Sequence, residues 1–380
     1  MKQAQRREGG SGDWLDAMRI LFALAGLHRV DRGAEVAFIS VATELANSGE
    51  DVTLIGSGPG RPDKGYTYLS APLIPRERFE RFPRLPTLRS ETAWEEATFV
   101  PGLLSRYRPE DYDVTLTCSY PFTSWALRRP ARRRPAHVFV TQNGNWPAIS
   151  NDAEYRLFAC DGLICTNLSF FEQARFPAAL IGNGVDLREF GPAAPERERF
   201  GLPQTGPVIL MVSALIASKH VEEAIEAVSL LHDATLVVAG DGPLRSALQT
   251  LADQKMPGRF KRLQLPAAEM PALYRCADVF LHLSRMESFG NVYVEAMATG
   301  VPVVAIDSPH TRWIFGQDAF LVLPDKPADL AAQLTRALRS GDDLRERLLN
   351  RAQGFSWTKI AGEYCEFLHE VVSRRRKQKG

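Results

Sequence analysis

The sequence predicts an α/β protein built from two similar domains, each a parallel β-sheet covered by helices. Short β-rich apolar runs alternate with segments of helical period, the signature of strand–helix–strand units. The pattern starts afresh near residue 187, after a stretch of Gly, Pro and charged residues that marks a turn and linker. At ~150 residues per domain, a chain of 380 residues suffices for two or three domains.

In chain order, residues 1–17 form a polar, Gly-containing flexible tail. MRILFAL (18–24) is a buried strand, followed by a turn around Arg32 and Gly33. The next helix sets Ala34, Phe38, Val41 and Leu45 on one face and stops near Gly49, a residue suited to the position after a helix end. Apolar runs at 51–55, 113–118, 137–141 and 162–166 continue the strand series, which makes 18–186 the first domain. Residues 58–110 are rich in Pro and Arg and weakly periodic, so surface loops and short helices are expected there. The second domain, 187–355, places strands at 208–213, 235–239, 278–283 and 302–306. Residues 356–380 hold an amphipathic helix from about Trp357 to Val372 and a solvated basic tail, RRRKQKG.

Composition narrows the function classes. A net charge of +1 gives no reason to expect a nucleic-acid partner. No run approaches the ~18 apolar residues of a membrane span, and the N-terminus lacks a secretory hydrophobic region. The five cysteines are odd in number and contain no C-x-x-C pair, so structural disulfides and a zinc site are not expected. These features suit the cytoplasm. Arg128, Arg129, Arg132, Arg133 and Arg134 make a basic cluster that reads as a solvated loop, as a peripheral contact with anionic lipid, or as a contact with a phosphorylated acceptor.

Ligands of open α/β sheets bind beyond the carboxyl ends of strands, where loops enter helix N-termini. Four groups occupy such places. Glu287 to Glu295 (ESFGNVYVE) follows a strand and runs into a helix, so amides at Phe289, Gly290 and Asn291 can meet a polar group. By spacing alone, its two glutamates also fit solvated residues beside an ordinary helix start. Lys219 lies beyond the VILMVS strand and can neutralise a diphosphate leaving group without a metal; a solvated lysine is the plain alternative. Arg32-Gly33-Ala34-Glu35 precedes a helix where amides can face phosphate, or is a tight turn that needs Gly for positive φ. Gln142 to Trp146 (QNGNW) offers amides and an aromatic to sugar hydroxyls, or is an Asn-Gly turn. Gly56-Ser-Gly-Pro-Gly60 imitates a dinucleotide fingerprint, but Pro59 and the charges after it spoil the helix start.

In this order the segments resemble family 4 glycosyltransferases. The residues that carry the resemblance are Gly33-Ala34-Glu35, Ile181-Gly-Asn-Gly-Val-Asp186, Lys219, Val238-Ala-Gly-Asp-Gly-Pro243, Leu273 to Val279, Glu287 to Pro302, and Phe355-Ser-Trp357. They cover essentially all of the second domain and scattered points of the first. The resemblance implies the GT-B fold, two Rossmann-like doubly wound domains facing across a cleft, with the last helix crossing back to the first domain. It implies an acceptor side in the first domain and a nucleotide-sugar donor side in the second. Glu287 would lie by the transferred sugar, the Phe289 and Gly290 amides on its hydroxyls, Glu295 on the ribose, Lys219 on the diphosphate and Gly33 on the phosphate across the cleft. The family retains anomeric configuration and needs no divalent metal.

Two departures stand out. The family's common Gly-Arg pair is Ser213-Ala214 here, leaving Arg32, Arg285 or Arg312 to replace the lost guanidinium. A histidine common near the sugar is replaced by Asn143, which cannot titrate, so little pH dependence is expected from that position. The expected function is a metal-independent retaining transferase using a UDP- or GDP-sugar and a saccharide, lipid-linked or small-molecule acceptor. A nucleotide-sugar isomerase or epimerase and a catalytically inactive donor-binding relative are the competing readings. The sequence leaves the acceptor and the oligomeric state open.

Overall fold

The computed structural model describes residues 17–60, 65–153, 155–323 and 326–377. The first domain contains β1 (Arg19–Ala23), α1 (Gly33–Asn47), β2 (Asp51–Gly56), β3 (Thr67–Ser70), α2 (Glu91–Arg106), β4 (Val114–Thr117) and α3 (Phe122–Leu127). It continues with β5 (Ala136–Val140), α4 (Trp146–Ile149), β6 (Gly162–Cys165), α5 (Leu168–Glu172) and β7 (Ala178–Leu180). The second contains β8 (Val208–Val212), α6 (Val221–Ser229), β9 (Thr235–Ala239), α7 (Arg245–Lys255), β10 (Phe260–Leu263), α8 (Met270–Arg275) and β11 (Val279–His282). After these come α9 (Asn291–Thr299), β12 (Val303–Ile306), α10 (Pro309–Phe315), β13 (Phe320–Val322), α11 (Pro327–Leu338), α12 (Asp342–Gln353) and α13 (Trp357–Lys377).

Every pairing between these strands is parallel. The sheet orders are β3-β2-β1-β4-β5-β6-β7 and β10-β9-β8-β11-β12-β13. Each chain path leaves its first strand in one direction and returns to its other side, so the switch points fall between β1 and β4 and between β8 and β11. Central strands such as β4 and β11 are buried at every residue, which is why they appear in the sequence as continuous apolar runs rather than alternating ones. Ile181 packs in the first core and Val185 in the second, so the chain passes between domains within five residues.

Several elements differ from expectation. Residues 58–110 hold β3 and the 16-residue α2, capped by the Ser90 hydroxyl accepting from the Ala93 amide. The helical period was masked because α2 buries Glu95 and Glu96 beside Phe99 and Leu103, so polar letters sit on its inward face. The short edge strands β7, β10 and β13 were missed because none of them is buried throughout. The basic run at the C-terminus is helical as far as Lys377 rather than a solvated tail. Arg375 pairs with Asp161 and Arg376 with Asp113, and cations at a helix C-terminus are favoured by its dipole. Residues 1–16 of the expected tail, and the last three residues, lie outside the described residues.

Helix α13 returns to the first domain and buries Ile360, Ala361, Tyr364, Phe367, Leu368 and Val371 in the core under β1, β4 and β5. Gly162 permits the approach, since a Cβ there would lie 2.7 Å from Val371 Cγ2. No described helix is long and apolar enough to cross a membrane.

Candidate active site

A cavity of about 1030 Å³ opens between the carboxyl ends of the two sheets. Its walls include the loops that follow the switch-point strands: Leu24 to Gly26 after β1, Cys118 to Pro121 after β4, Ser213 and Ala214 after β8, and Glu287 to Gly290 after β11. The topology therefore dictates where a ligand can reach backbone amides from both domains.

Two helix N-termini meet in this cavity. Helix α1 begins at Gly33 and α9 at Asn291, and a Cβ on Gly33 would lie 3.5 Å from Asn291 Nδ2. Neither start carries a side-chain cap, so amides of the first turns remain available to an anion, favoured by both dipoles. Gly33 has no positive φ, so the tight-turn reading does not apply to it; the residue that needs one is Gly290, with φ +86°. A side chain at Gly290 would also strike the Tyr293 ring at 2.7 Å.

The second-domain wall carries the charge. Lys219 ends a single 3₁₀ turn after β8 and forms an ion pair with Glu287, while its ammonium also donates to Ser284 Oγ at 3.2 Å. Glu287 takes a second contact from His282 Nε2 at 2.9 Å. Burial disfavours the Glu287 carboxylate, but His282 and Lys219 outweigh that and hold its carboxyl down at about 2. An ionised carboxylate only accepts, so His282 Nε2 carries the proton in this contact. The His282 ring is 2% exposed and its Nδ1 is buried without a partner among the described residues. Sequence reasoning missed His282; the available signal was one polar letter ending the apolar strand VFLH.

The two walls are tied by side chains. Asn183 Nδ2 donates to Gln142 Oε1 at 3.0 Å and to Asn291 Oδ1 at 2.8 Å, and Gln142 Nε2 donates to Asn183 Oδ1 at 2.5 Å. Thr166 Oγ1 donates to the Ser288 carbonyl at 3.0 Å, and Asn167 Nδ2 to that of Glu287 at 2.9 Å. His310 Nε2 reaches the Phe289 carbonyl at 2.8 Å, which steadies the loop entering α9.

Of the residues singled out from sequence, Arg32, Gly33, Asn143, Lys219, Glu287, Phe289, Gly290 and Asn291 all line the cavity. Asn143 leans on Cys118 Sγ at 3.7 Å, ahead of Gly144 with φ +99°. Glu295 does not line it: one turn into α9, it accepts from the Tyr274 hydroxyl at 2.7 Å. Burial pushes its carboxyl up to about 7 against that bond. Of the three arginines offered for the missing guanidinium, Arg32 is on the cavity wall; Arg285 and Arg312 are not, and Arg312 is paired with Asp307 at 2.6 Å. Among the described residues, Glu50, Cys365 and His369 bring three ligand-type atoms within 4.8 Å of one another. They lie where α13 crosses the start of the first sheet, away from the cavity. The Arg128–Arg134 cluster is also remote, at the strand-start end of that sheet. There Arg129 donates to the Tyr107 carbonyl at 2.7 Å, Arg133 pairs with Asp113 at 3.3 Å and Arg134 with Asp161 at 3.4 Å.

Comparisons with known proteins agree with this architecture. The family model described as Glycosyltransferase Family 4 matches residues 32–189, and that of Glycosyl transferases group 1 matches residues 193–355. A GDP-mannose-dependent alpha-mannosyltransferase of Mycolicibacterium smegmatis is 30% identical over 203 residues, 51% of this chain and 52% of its own. The chain thus spans about half the length of such curated relatives. A D-inositol 3-phosphate glycosyltransferase of Corynebacterium efficiens is 25% identical across 90% of this chain and 91% of its own. Among solved structures, a sucrose-phosphate synthase of Thermosynechococcus elongatus superposes with TM-score 0.74 at 19% identity, covering 94% of this chain and all of its own. Anabaena HepE, solved with UDP and glucose, gives 0.69 at 20% identity over 93% of this chain and 99% of its own. With two family models in tandem over nearly the whole chain and two doubly wound sheets facing across one cavity, the chain belongs to the family 4 glycosyltransferases of the GT-B fold.

Proposed function

We propose that the chain is a retaining glycosyltransferase that moves a sugar from a UDP- or GDP-sugar to an acceptor held on the first domain, without a metal ion. The observation that carries this reading is the meeting of two uncapped helix starts with the Lys219–Glu287 pair in one interdomain cavity. A diphosphate brings the negative charge that such helix starts and an ammonium stabilise, each dipole by about 0.3–1 kcal/mol. The relative named for GDP-mannose and the neighbour solved with UDP and glucose support a nucleoside diphosphate hexose as donor.

In the reaction, the bond from the sugar anomeric carbon to the diphosphate oxygen breaks as the acceptor oxygen bonds to the same face. The acceptor proton passes to the departing diphosphate, so nucleoside diphosphate and a glycoside of unchanged configuration result. Lys219, the α1 and α9 amides and Arg32 neutralise the leaving charge, which is where preorganised electrostatics act. Glu287, kept ionised, faces the sugar and fixes the ammonium. Glu295 would meet a ribose through the carboxylate oxygen that does not accept from Tyr274.

Incubation with UDP- and GDP-sugars and a mixed acceptor panel, with anomeric products read by NMR, tests the reading. Nucleoside diphosphate release that survives EDTA, with retained configuration, is the expected result. An epimerised donor would identify an isomerase, and donor binding without turnover an inactive relative. A nucleotide-sugar donor fits action in the cytoplasm. The Arg128–Arg134 cluster supports a structural role over lipid contact, because a bilayer there would face away from the cavity; cosedimentation with anionic vesicles is expected to be negative.

A further inference from the structure

A cluster of metal-ligating side chains lies outside the cavity, on the far side of the first domain. Glu50 stands just before β2, and Cys365 and His369 stand one turn apart on α13. The Cys365 thiol donates to Glu50 Oε1 at 3.3 Å, and His369 Nε2 meets the same oxygen at 3.2 Å. All three ligand-type atoms lie within 4.8 Å of one another. Sequence spacing hides this trio, because 315 and 319 residues separate Glu50 from its partners and only the return of α13 joins them. The cluster is held from behind. Each α13 member follows a buried core residue, Tyr364 before Cys365 and Leu368 before His369. The other Glu50 oxygen accepts from the Met18 amide at 2.6 Å. The Glu50 and His369 side chains are 13% and 23% exposed, so an ion can reach them from solvent.

A thiolate, an imidazole and a carboxylate together suit Zn²⁺, whereas Mg²⁺ and Ca²⁺ take oxygen ligands. Bonds of about 2.0–2.3 Å to a tetrahedral Zn²⁺ put neighbouring ligand atoms roughly 3.3–3.8 Å apart. Glu50 already stands close to that separation from both partners. Residues at i and i+4 share one helix face, so Cys365 and His369 can close on a single ion. We infer that Glu50, Cys365 and His369 bind one Zn²⁺, with water completing the coordination, and that the ion pins α13 to the first domain. On binding, the thiol proton of Cys365 passes to solvent and the imidazole of His369 keeps its proton on Nδ1. The thiolate and the carboxylate then balance the two charges of the ion. The unfolded chain, with Glu50 and Cys365 315 residues apart, presents no such site, so the ion stabilises the folded arrangement. Lying away from the cavity, it takes no part in sugar transfer.

The test strips the full chain of metal with EDTA, returns it to chelator-free buffer with a phosphine reductant, and titrates Zn²⁺ against a chromophoric chelator, followed by thermal unfolding. Wild type should take one equivalent and unfold at a higher temperature with it. Cys365→Ser and His369→Gln should lose both the equivalent and the shift. His369→Cys, which supplies another zinc ligand, should keep them, separating ligand loss from misfolding. Glu50→Gln still accepts from the Met18 amide and should weaken Zn²⁺ binding at least about tenfold. Co²⁺ in place of Zn²⁺ should give a near-ultraviolet thiolate-to-cobalt band in wild type and none in Cys365→Ser. That variant retains Cys118, Cys160, Cys165 and Cys276, so the band reports Cys365. No saturable equivalent in wild type, a cobalt band that persists in folded Cys365→Ser, or equal thermal shifts in wild type and both ligand-loss variants overturns the proposal and leaves a hydrogen-bonded trio only. Donor turnover enters none of these readouts, so failure here leaves the transferase reading untouched.

Discussion

The ammonium of Lys219 is the centre of the site at the residue scale, because the family's neighbouring guanidinium is replaced by Ala214. Lys219 is held by Glu287 and Ser284, so its position is set before a donor arrives, and preorganised charge of this kind is worth ~10²–10³ in rate. Lys219→Met should therefore lower donor kcat/KM by about that factor while leaving the fold intact by circular dichroism. Arg32, on the cavity wall, is the arginine placed to share the load, whereas Arg312 is spent on Asp307. Arg32→Gln should cost roughly tenfold in donor kcat/KM and Arg312→Gln nothing; equal losses from both would place the second cation elsewhere. Lys219, Glu287 and Gly290 were legible from sequence because each follows a strand end and sits at or near a helix entrance. His282 was not, since its role depends on a carboxylate five residues on whose direction is set by the fold. Glu295 was legible as a residue but not as a contact: its spacing from Glu287 says nothing of Tyr274, which waits beneath α9.

At the scale of elements, α13 decides how the first domain is closed. Its Tyr364, Phe367, Leu368 and Val371 fill the core next to α1, and the helix ends pinned by Arg375 to Asp161. Leu368 is fully buried, so Leu368→Ala removes apolar burial and leaves a cavity, a loss of about 2–5 kcal/mol. Urea denaturation should show that loss; a change under 1 kcal/mol would mean the helix is not integral to this core. The helix itself was plain from its apolar stripe, and the central strands from their continuous apolar runs. What sequence concealed was α2, whose inward face carries Glu95 and Glu96. Buried charges satisfied by Arg29 and the Thr123 amide look like surface letters until their partners are known. The three-residue edge strands β7 and β13 are too short to show a period of two.

For the whole molecule, buried ionisable groups oppose one another. Burial raises Glu96 and Glu295 to about 7 and lowers His137 to about 3. Between about pH 6.5 and 4.5 the folded state holds protons on the two glutamates that the unfolded state has released, so acidification stabilises through them. Over the same window the unfolded state protonates His137 while the folded state does not, so acidification destabilises through it; His310, also lowered by burial, acts the same way. The two sets of groups therefore act in opposite directions over this window. Glu295→Gln removes one stabilising term, so its deficit against wild type should grow by about 2 kcal/mol from pH 6.5 to 5, at about 1.4 kcal/mol per pH unit. Parallel urea midpoints at the two pH values would show that Glu295 titrates normally. The two domains are joined in turn by Asn183, whose amide hydrogens are used on Gln142 and Asn291. These partners are 41 and 108 residues distant, a relation that the Ile181–Asp186 motif could not disclose. Because Asn183 is buried, Asn183→Ala strands polar atoms on both lobes, each at a cost of about 1–3 kcal/mol. That cost falls on the closed arrangement alone, since water satisfies the same atoms once the lobes part. The variant should open the cavity: a larger radius of gyration by X-ray scattering and a donor KM raised about tenfold or more, with kcat less affected. A kcat loss with unchanged donor KM and unchanged scattering would mean that Asn183 acts on the chemistry rather than on closure.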